Sequence, residues 1–174
     1  SSGGSVEIKG AVSAPYAFEA SDTTLALETV EIPRGGGQMT YRGYPLQKIL
    51  EQAEPSEAFD LVLLRGSDGY TFFISKSQLK DNAHLLLTVQ GEGAGQVYNM
   101  VGPESKKAWV SGVAEIILVE SRPLPISGPS GREAQFQPGD WVDEMDSTTL
   151  DVGNGPGKYQ GVPFSLVLEE VFPQ

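Results

Sequence analysis

Cysteine is absent from all 174 residues of this chain. That absence excludes a disulfide framework, a thiolate metal site and a cysteine nucleophile. Histidine occurs once, at His84. A zinc site needs several nitrogen or sulfur donors, so a lone histidine does not make one. A Ser-His-Asp triad would have to use His84, and no Gly-x-Ser-x-Gly elbow is present. His84 is therefore read as a structural residue closing the turn around Gln78 to Asn82. Basic residues are also scarce, with 12 Lys and Arg against 23 Asp and Glu. The formal net charge of -11 and a pI near 4.4 argue against a nucleic-acid backbone or an anionic membrane surface as partner. No apolar run approaches the roughly 18 residues of a membrane-spanning helix. What is present is a 39% hydrophobic content, patterned enough for a folded core rather than a disordered chain. An acidic globular protein of one or two domains is expected.

The chain repeats itself at a constant offset of 118 residues. Ile8 falls on Ile126, Gly10 on Gly128, Phe18 on Phe136 and Asp22 on Asp140. Further along, Gly35 and Gly37 fall on Gly153 and Gly155, and Tyr41-Arg42-Gly43-Tyr44-Pro45-Leu46 on Tyr159-Gln160-Gly161-Val162-Pro163-Phe164. Identities concentrate at glycine, proline and apolar positions, which fix backbone and core. The reading is a flexible Ser/Gly leader over residues 1–5, a complete module over 6–120, and the first part of a second copy over 121–174. Gln174 matches Ser56, so Ala58 to Val119 has no counterpart. The partial copy is either a fragment of a longer tandem protein or a segment packed on the first module, since half a module buries too little surface to fold alone.

Along the first module, Val6 to Gly10 alternates and reads as a strand. Asp22 is placed to cap a short helix or turn, and Thr29 to Ile32 is a strand. Gly35-Gly36-Gly37 is a loop leading through Met39-Thr40-Tyr41 to Gly43. Pro45 suits a first helical turn, and Leu46, Ile49, Leu50 and Ala53 recur on one helical face. The second copy repeats that face as Phe164, Val167, Leu168 and Val171, with Pro55 and Pro173 as stops. Leu61 to Leu64 and Thr71 to Ile74 flank Asp68-Gly69, a hairpin signal. Ser77 to Asn82 is a short helix or turn, and Leu85 to Val89 a strand. Gly91 to Gly95 is a hairpin loop, and Ala108 to Val119 ends in a central strand. Strands with short helices give an α+β class with a mixed β-sheet.

Several motifs carry this pattern in order. They are a strand ending in glycine, a proline-containing link to Phe18, a Tyr-x-Gly-x-Pro-Leu helix start, Asp68-Gly69-Tyr70, Leu85-Leu86, Gly102-Pro103 and Trp109-Val110. Over roughly Val6 to Glu120, and again over 124–174 for the first part, the chain resembles the oxidoreductase molybdopterin-binding domain, the fold of the sulfite oxidase catalytic domain. The resemblance implies a site at the loop Ile32 to Tyr41 and the helix start at Gly43. Arg34 and Arg42 would face an anion there, with Tyr41 and Gly43 beside them. In enzymes of that family a cysteine thiolate ligates molybdenum shortly upstream of the Gly-x-Pro-Leu helix. The matching stretches, Val30 to Thr40 and Thr148 to Lys158, contain none. Soft thiolate ligation is what holds the metal there, and the basic residues, Arg34, Arg42 and Arg65, are scattered. The fold carries over and the activity does not. No cofactor is expected, molybdopterin being the one group that the resemblance admits.

Other chemistry is weaker. Gly91-Glu92-Gly93-Ala94-Gly95-Gln96 lacks the Lys-Ser/Thr of a phosphate loop and the following helix of a dinucleotide site. Asp140, Asp143, Glu144, Asp146 and Asp151 do not match EF-hand spacing and read as a solvated acidic face. No carboxylate pair stands out for glycoside hydrolysis. Trp109 and Tyr70 suit core or cross-strand packing better than a ligand groove. The expectation is a non-catalytic binding or structural module whose partner is a small anionic ligand or a protein. Pairing of tandem modules is a further option, and so is a domain that holds a pterin without a protein thiolate. The Ser-Ser-Gly-Gly-Ser leader resembles the linker behind a bacterial lipoprotein anchor, which points to an exported or surface-attached protein, unless the leader is a cloning remnant.

Overall fold

A computed structural model of the chain describes residues 4–82, 84–102, 109–151, 153 and 155–172. Ser1 to Gly3 of the leader, Pro103, Ala108 and Pro173 lie outside the described residues. The chain divides into two compact units, Ser1–Glu120 and Ser121–Gln174.

The first unit is built on two sheets. β1 (Val6–Gly10) buries Val6 and Ile8 and exposes Glu7, as its alternation requires. It pairs antiparallel with β2 (Tyr16–Phe18). β3 (Glu28–Arg34) and β4 (Gly37–Pro45) form a hairpin, and β4 runs directly into α1 (Leu46–Glu51). β5 (Leu61–Gly66) and β6 (Thr71–Ser75) form the hairpin expected from Asp68-Gly69; Gly69 has φ +83, the conformation for which glycine is chosen. α2 (Lys76–Asp81) follows, then β7 (Leu86–Gln90), β8 (Val97–Val101) and β9 (Val113–Val119). One sheet has the order β2-β1-β9-β5-β6 and the other β3-β4-β7-β8. β1 and β9 are parallel, whereas β9 and β5 are antiparallel. These mixed sheets with few short helices make the unit α+β.

The sheets meet through apolar side chains. Phe18 of the first packs edge-to-face on Tyr44 and Tyr98 of the second, with ring centroids 5.2 and 5.8 Å apart. Such pairs add to the burial of large rings. The Tyr98 hydroxyl donates to the Gly4 carbonyl at 2.8 Å and accepts from the Ala20 amide at 3.0 Å, so this buried polar atom is satisfied. Leu46, Ile49, Leu50 and Ala53 of the α1 segment are buried as their spacing predicts. Each full burial of a leucine or isoleucine is worth about 1.5–3 kcal/mol. The Tyr16 hydroxyl donates to the Ile49 carbonyl at 2.8 Å and ties β2 to α1. Burial pushes its pKa up to about 12, which keeps it a neutral donor.

Details differ from expectation. Pro45 caps α1 from outside, at φ -58 and ψ 125, rather than filling its first turn. The helix ends at Glu51, ahead of Pro55, which instead bridges to Val12. Val97–Val101 is a strand returning from the glycine loop, and Gly93–Gly95 forms a short 3-10 turn within that loop. α2 starts one residue before Ser77. Ser75 is its cap: its hydroxyl accepts from the Gln78 amide, and the Gln78 side chain accepts from the Ser75 amide. Asp22 lies in a turn. His84 is exposed, and its backbone amide, not its ring, donates to Asn82 Oδ1 at 3.1 Å.

In the second unit β10 (Leu124–Ser127) pairs antiparallel with β11 (Glu133–Phe136). A 3-10 helix follows over Pro138–Glu144. β12 (Asp146–Asp151) pairs antiparallel with β13 (Pro156–Gly161), and α3 (Phe164–Val171) comes last. Leu124 faces Phe136 as Val6 faces Phe18, and Asp146 faces Gly161 as Glu28 faces Gly43. Each pair in the second unit is its first-unit counterpart advanced by 118. Pro163 precedes α3 with φ -55 and ψ 125, close to the values at Pro45.

Gly43 marks how tightly the second sheet closes. A Cβ there would lie 2.6 Å from the Leu87 carbonyl oxygen on β7. Gly43→Ala is expected to cost about 1–3 kcal/mol, as overpacking against backbone does. A urea titration checks this, and an unchanged midpoint would show that β4 and β7 do not approach so closely.

Candidate functional site

The residues singled out by resemblance sit on the β3–β4 hairpin. Arg34 and Gly37 close its end, and Gly35 and Gly36 form the two-residue turn with φ +60 and +86. Positive φ at both central positions is what a primed hairpin turn demands, and the Gly-Gly pair supplies it. Pro33 is tolerated because β3 is an edge strand. From Gly37 to Thr40 the outer part of β4 is exposed, while its base, Gly43 to Pro45, is buried. The hairpin is thus anchored at one end and open at the other.

This geometry separates the candidates. Arg42 is exposed and pairs in register with Thr29, five positions from Gly37. That puts about 17 Å of strand between its Cα and the Arg34 end of the hairpin. The backbone thus sets the two arginines well apart along the hairpin. Tyr41 packs edge-to-face on Trp109, with centroids 5.4 Å apart, so both aromatics have a packing role. Gly43 serves the backbone contact with Leu87 described above. Sequence reasoning missed this spacing because it treated Ile32 to Tyr41 as a loop, whereas most of it is paired strand.

The acidic run is strung out. Asp140, Asp143 and Glu144 lie in the 3-10 helix, and Asp146 and Asp151 stand at opposite ends of β12. Among the described residues, no group of three or more His, Cys, Asp or Glu side chains could hold a metal ion.

A denser charge cluster sits on the first sheet, built from residues with no shared motif. Glu115 on β9 accepts from Lys9 Nζ of β1 at 2.5 Å and from Arg65 Nη1 of β5 at 2.8 Å. Lys9 also reaches Glu7 at 3.3 Å. Arg65, grouped with Arg34 and Arg42 by composition, is therefore engaged in a cross-strand ion pair. The Lys9 hydrogen bond, opposed by some desolvation and helped by both cations, holds the Glu115 carboxyl below the usual range. Bonds to Glu115 and Glu7 raise Lys9. Both are charged at neutral pH, so the cluster is balanced and structural. A depressed carboxyl stabilises the fold above its unfolded pKa, about 4.3 for glutamate, and that contribution is lost as pH falls through the folded value. Glu115→Gln is expected to flatten the loss of stability below about pH 5, measured by urea midpoints across an acid series. An unchanged slope would show that solvent screens the cluster completely.

No protein-family model matches the chain, and no curated protein does. Among solved structures the chain is similar to the sulfane dehydrogenase SoxCD from Paracoccus pantotrophus, with a TM-score of 0.54 and 19% identity. The match covers 84% of this chain and 47% of that one, so the chain spans about half the length of that neighbour. At this identity the likeness is one of fold: a distant relationship to the sulfite-oxidase-like architecture that the order of motifs resembles.

Proposed function

We propose that this chain is a non-catalytic binding or structural module built on the molybdopterin-oxidoreductase fold and working outside the cytoplasm. The fold link rests on the distant structural likeness. The loss of catalysis rests on the chemistry of one stretch. Where the resemblance asks for a molybdenum thiolate, Val30 to Thr40 offers only a paired hairpin with hard donors such as Glu31, Gln38 and Thr40. Oxygen and amide donors are poor substitutes for a soft thiolate. The residues present therefore do not fit that group, and no redox step is derived through it. Thr148 to Lys158, the matching stretch of the second unit, lies partly outside the described residues and has no thiol either.

What the hairpin offers is surface recognition. Arg42 presents an exposed cation midway along β4, and in this reading it and Arg34 contact an acidic ligand or protein surface at separate points. Tyr41 and Gly43 hold the hairpin in place beneath them. The location outside the cytoplasm rests on composition: no thiol to oxidise and a strongly acidic balance.

The carrying observation is that the hairpin over the stretch matched by resemblance contains no thiol, and metal analysis tests the reading. The chain is to be produced in a host that makes the molybdenum cofactor, and molybdenum measured by mass spectrometry beside pterin fluorescence after oxidation. Both are expected far below one equivalent per chain. Stoichiometric molybdenum would overturn the proposal in favour of an oxidoreductase domain or subunit that holds the cofactor without cysteine.

A further inference from the structure

We infer that Met39 is a modification site: peroxide oxidises its thioether, and the sulfoxide oxygen takes over as acceptor of the Tyr41 hydroxyl, carrying the change to Trp109. Every contact involved lies within the first unit, and none depends on the ligand or partner proposed above.

Sulfur occurs in this chain only at Met39, Met100 and Met145, since cysteine is absent. Thioether oxidation follows solvent access, and access differs among the three. Met100 is 1% exposed within the core of the first unit, Met145 is half-buried, and Met39 is 47% exposed. Strand register explains the position of Met39. Met39 and Tyr41 share one face of the hairpin with Ile32 and Val30, their direct partners on β3. Gln38, Thr40 and Arg42 alternate onto the other face. Met39 is the apolar side chain of β4 nearest the Gly35-Gly36 turn, where the strand is exposed.

Two contacts couple this thioether to its surroundings. The Tyr41 hydroxyl donates to Met39 Sδ at 3.8 Å, and the Tyr41 ring packs edge-to-face on Trp109 with centroids 5.4 Å apart. A thioether sulfur is a weak acceptor. In the oxidation a sulfur lone pair attacks one oxygen of hydrogen peroxide and the O–O bond breaks. The released hydroxide takes the proton of the transferred oxygen and leaves as water. Sulfur gives up two electrons, and peroxide gains them. The product is polar where the thioether was apolar, and its oxygen is a stronger acceptor for an O–H donor. The Tyr41 hydroxyl, already directed at this sulfur, follows the new acceptor, and its ring shifts against Trp109. The same oxygen sets a polar group beside Ile32 on a face that was apolar. Reductases specific for each sulfoxide epimer restore the thioether, so the mark is reversible.

The full chain is to be treated with excess hydrogen peroxide under native conditions. Each methionine is followed by peptide mass spectrometry, beside the near-ultraviolet circular dichroism of the aromatic side chains. Met39 sulfoxide is expected to form at least about tenfold faster than Met100 sulfoxide, a preference that unfolding in urea removes. The aromatic signal should change in step with Met39 and return when reductases for both epimers are added. Met39→Leu keeps an apolar side chain and should abolish that change while Met145 oxidises at its former rate. Tyr41→Phe keeps the ring on Trp109 and removes the donor, so the sulfoxide should still form without the signal change. Oxidation of Met39 no faster than of Met100 overturns the proposal. So does oxidation that leaves the aromatic signal unmoved, or that moves it equally in Tyr41→Phe.

Discussion

The first unit hangs on the insertion of one strand, Val113–Val119, between a parallel and an antiparallel neighbour. Its partners lie near residues 7 and 64, so the pairing closes long loops. The entropy of that closure must be offset by what the strand buries. It buries Val113, Ile116 and Leu118 against the core. It also sets Glu115 between Lys9 and Arg65. Just before it, the Val110 carbonyl accepts from Met100, and the Gly112 amide donates to Asn99, which ties the second sheet to the first. The helix face, the aromatic cluster of Phe18, Tyr44 and Tyr98, and the tight approach at Gly43 all presuppose that closure.

The same constraint explains why two similar stretches of sequence end in different environments. Strand register and helix entry follow local rules, namely turn chemistry, alternation and a fixed φ before the helix, and these are alike at residues 6–51 and 124–171. Burial is non-local. In the first unit it depends on the strands from Leu61 onward, β5 to β9, whereas the strands among the described residues of the second unit are β10 to β13. The hairpin bearing Arg34 and Arg42 has the same logic. Its turn and pairing are local, set by the Gly35-Gly36 turn and the register of β3 with β4.

Local features were legible for physical reasons. The i, i+3, i+4, i+7 spacing of Leu46, Ile49, Leu50 and Ala53 marks a buried helix face, and Asp68-Gly69 marks a hairpin, because each is decided within a few residues. Val97–Val101 was not legible as a strand: apolar residues fall on both parities, and Tyr98 and Met100 are buried by distant partners. The Ser75 cap was hidden by reading the helix from Ser77. The ion cluster joins residues 9, 65 and 115, which only the sheet order brings together. The separation of Arg34 from Arg42 depended on seeing that the glycine-rich segment pairs rather than loops.

Native-state hydrogen exchange on the unmodified full chain tests the central claim most directly. If β9 closes the first unit, while β10 and β13 belong to two-stranded sheets among the described residues, amides of Val113–Val119 exchange only through global unfolding of the first unit. Those of Leu124–Ser127 and Phe164–Val171 then exchange through local opening at far lower free energy. Equal, global protection across both sets of strands would contradict the account.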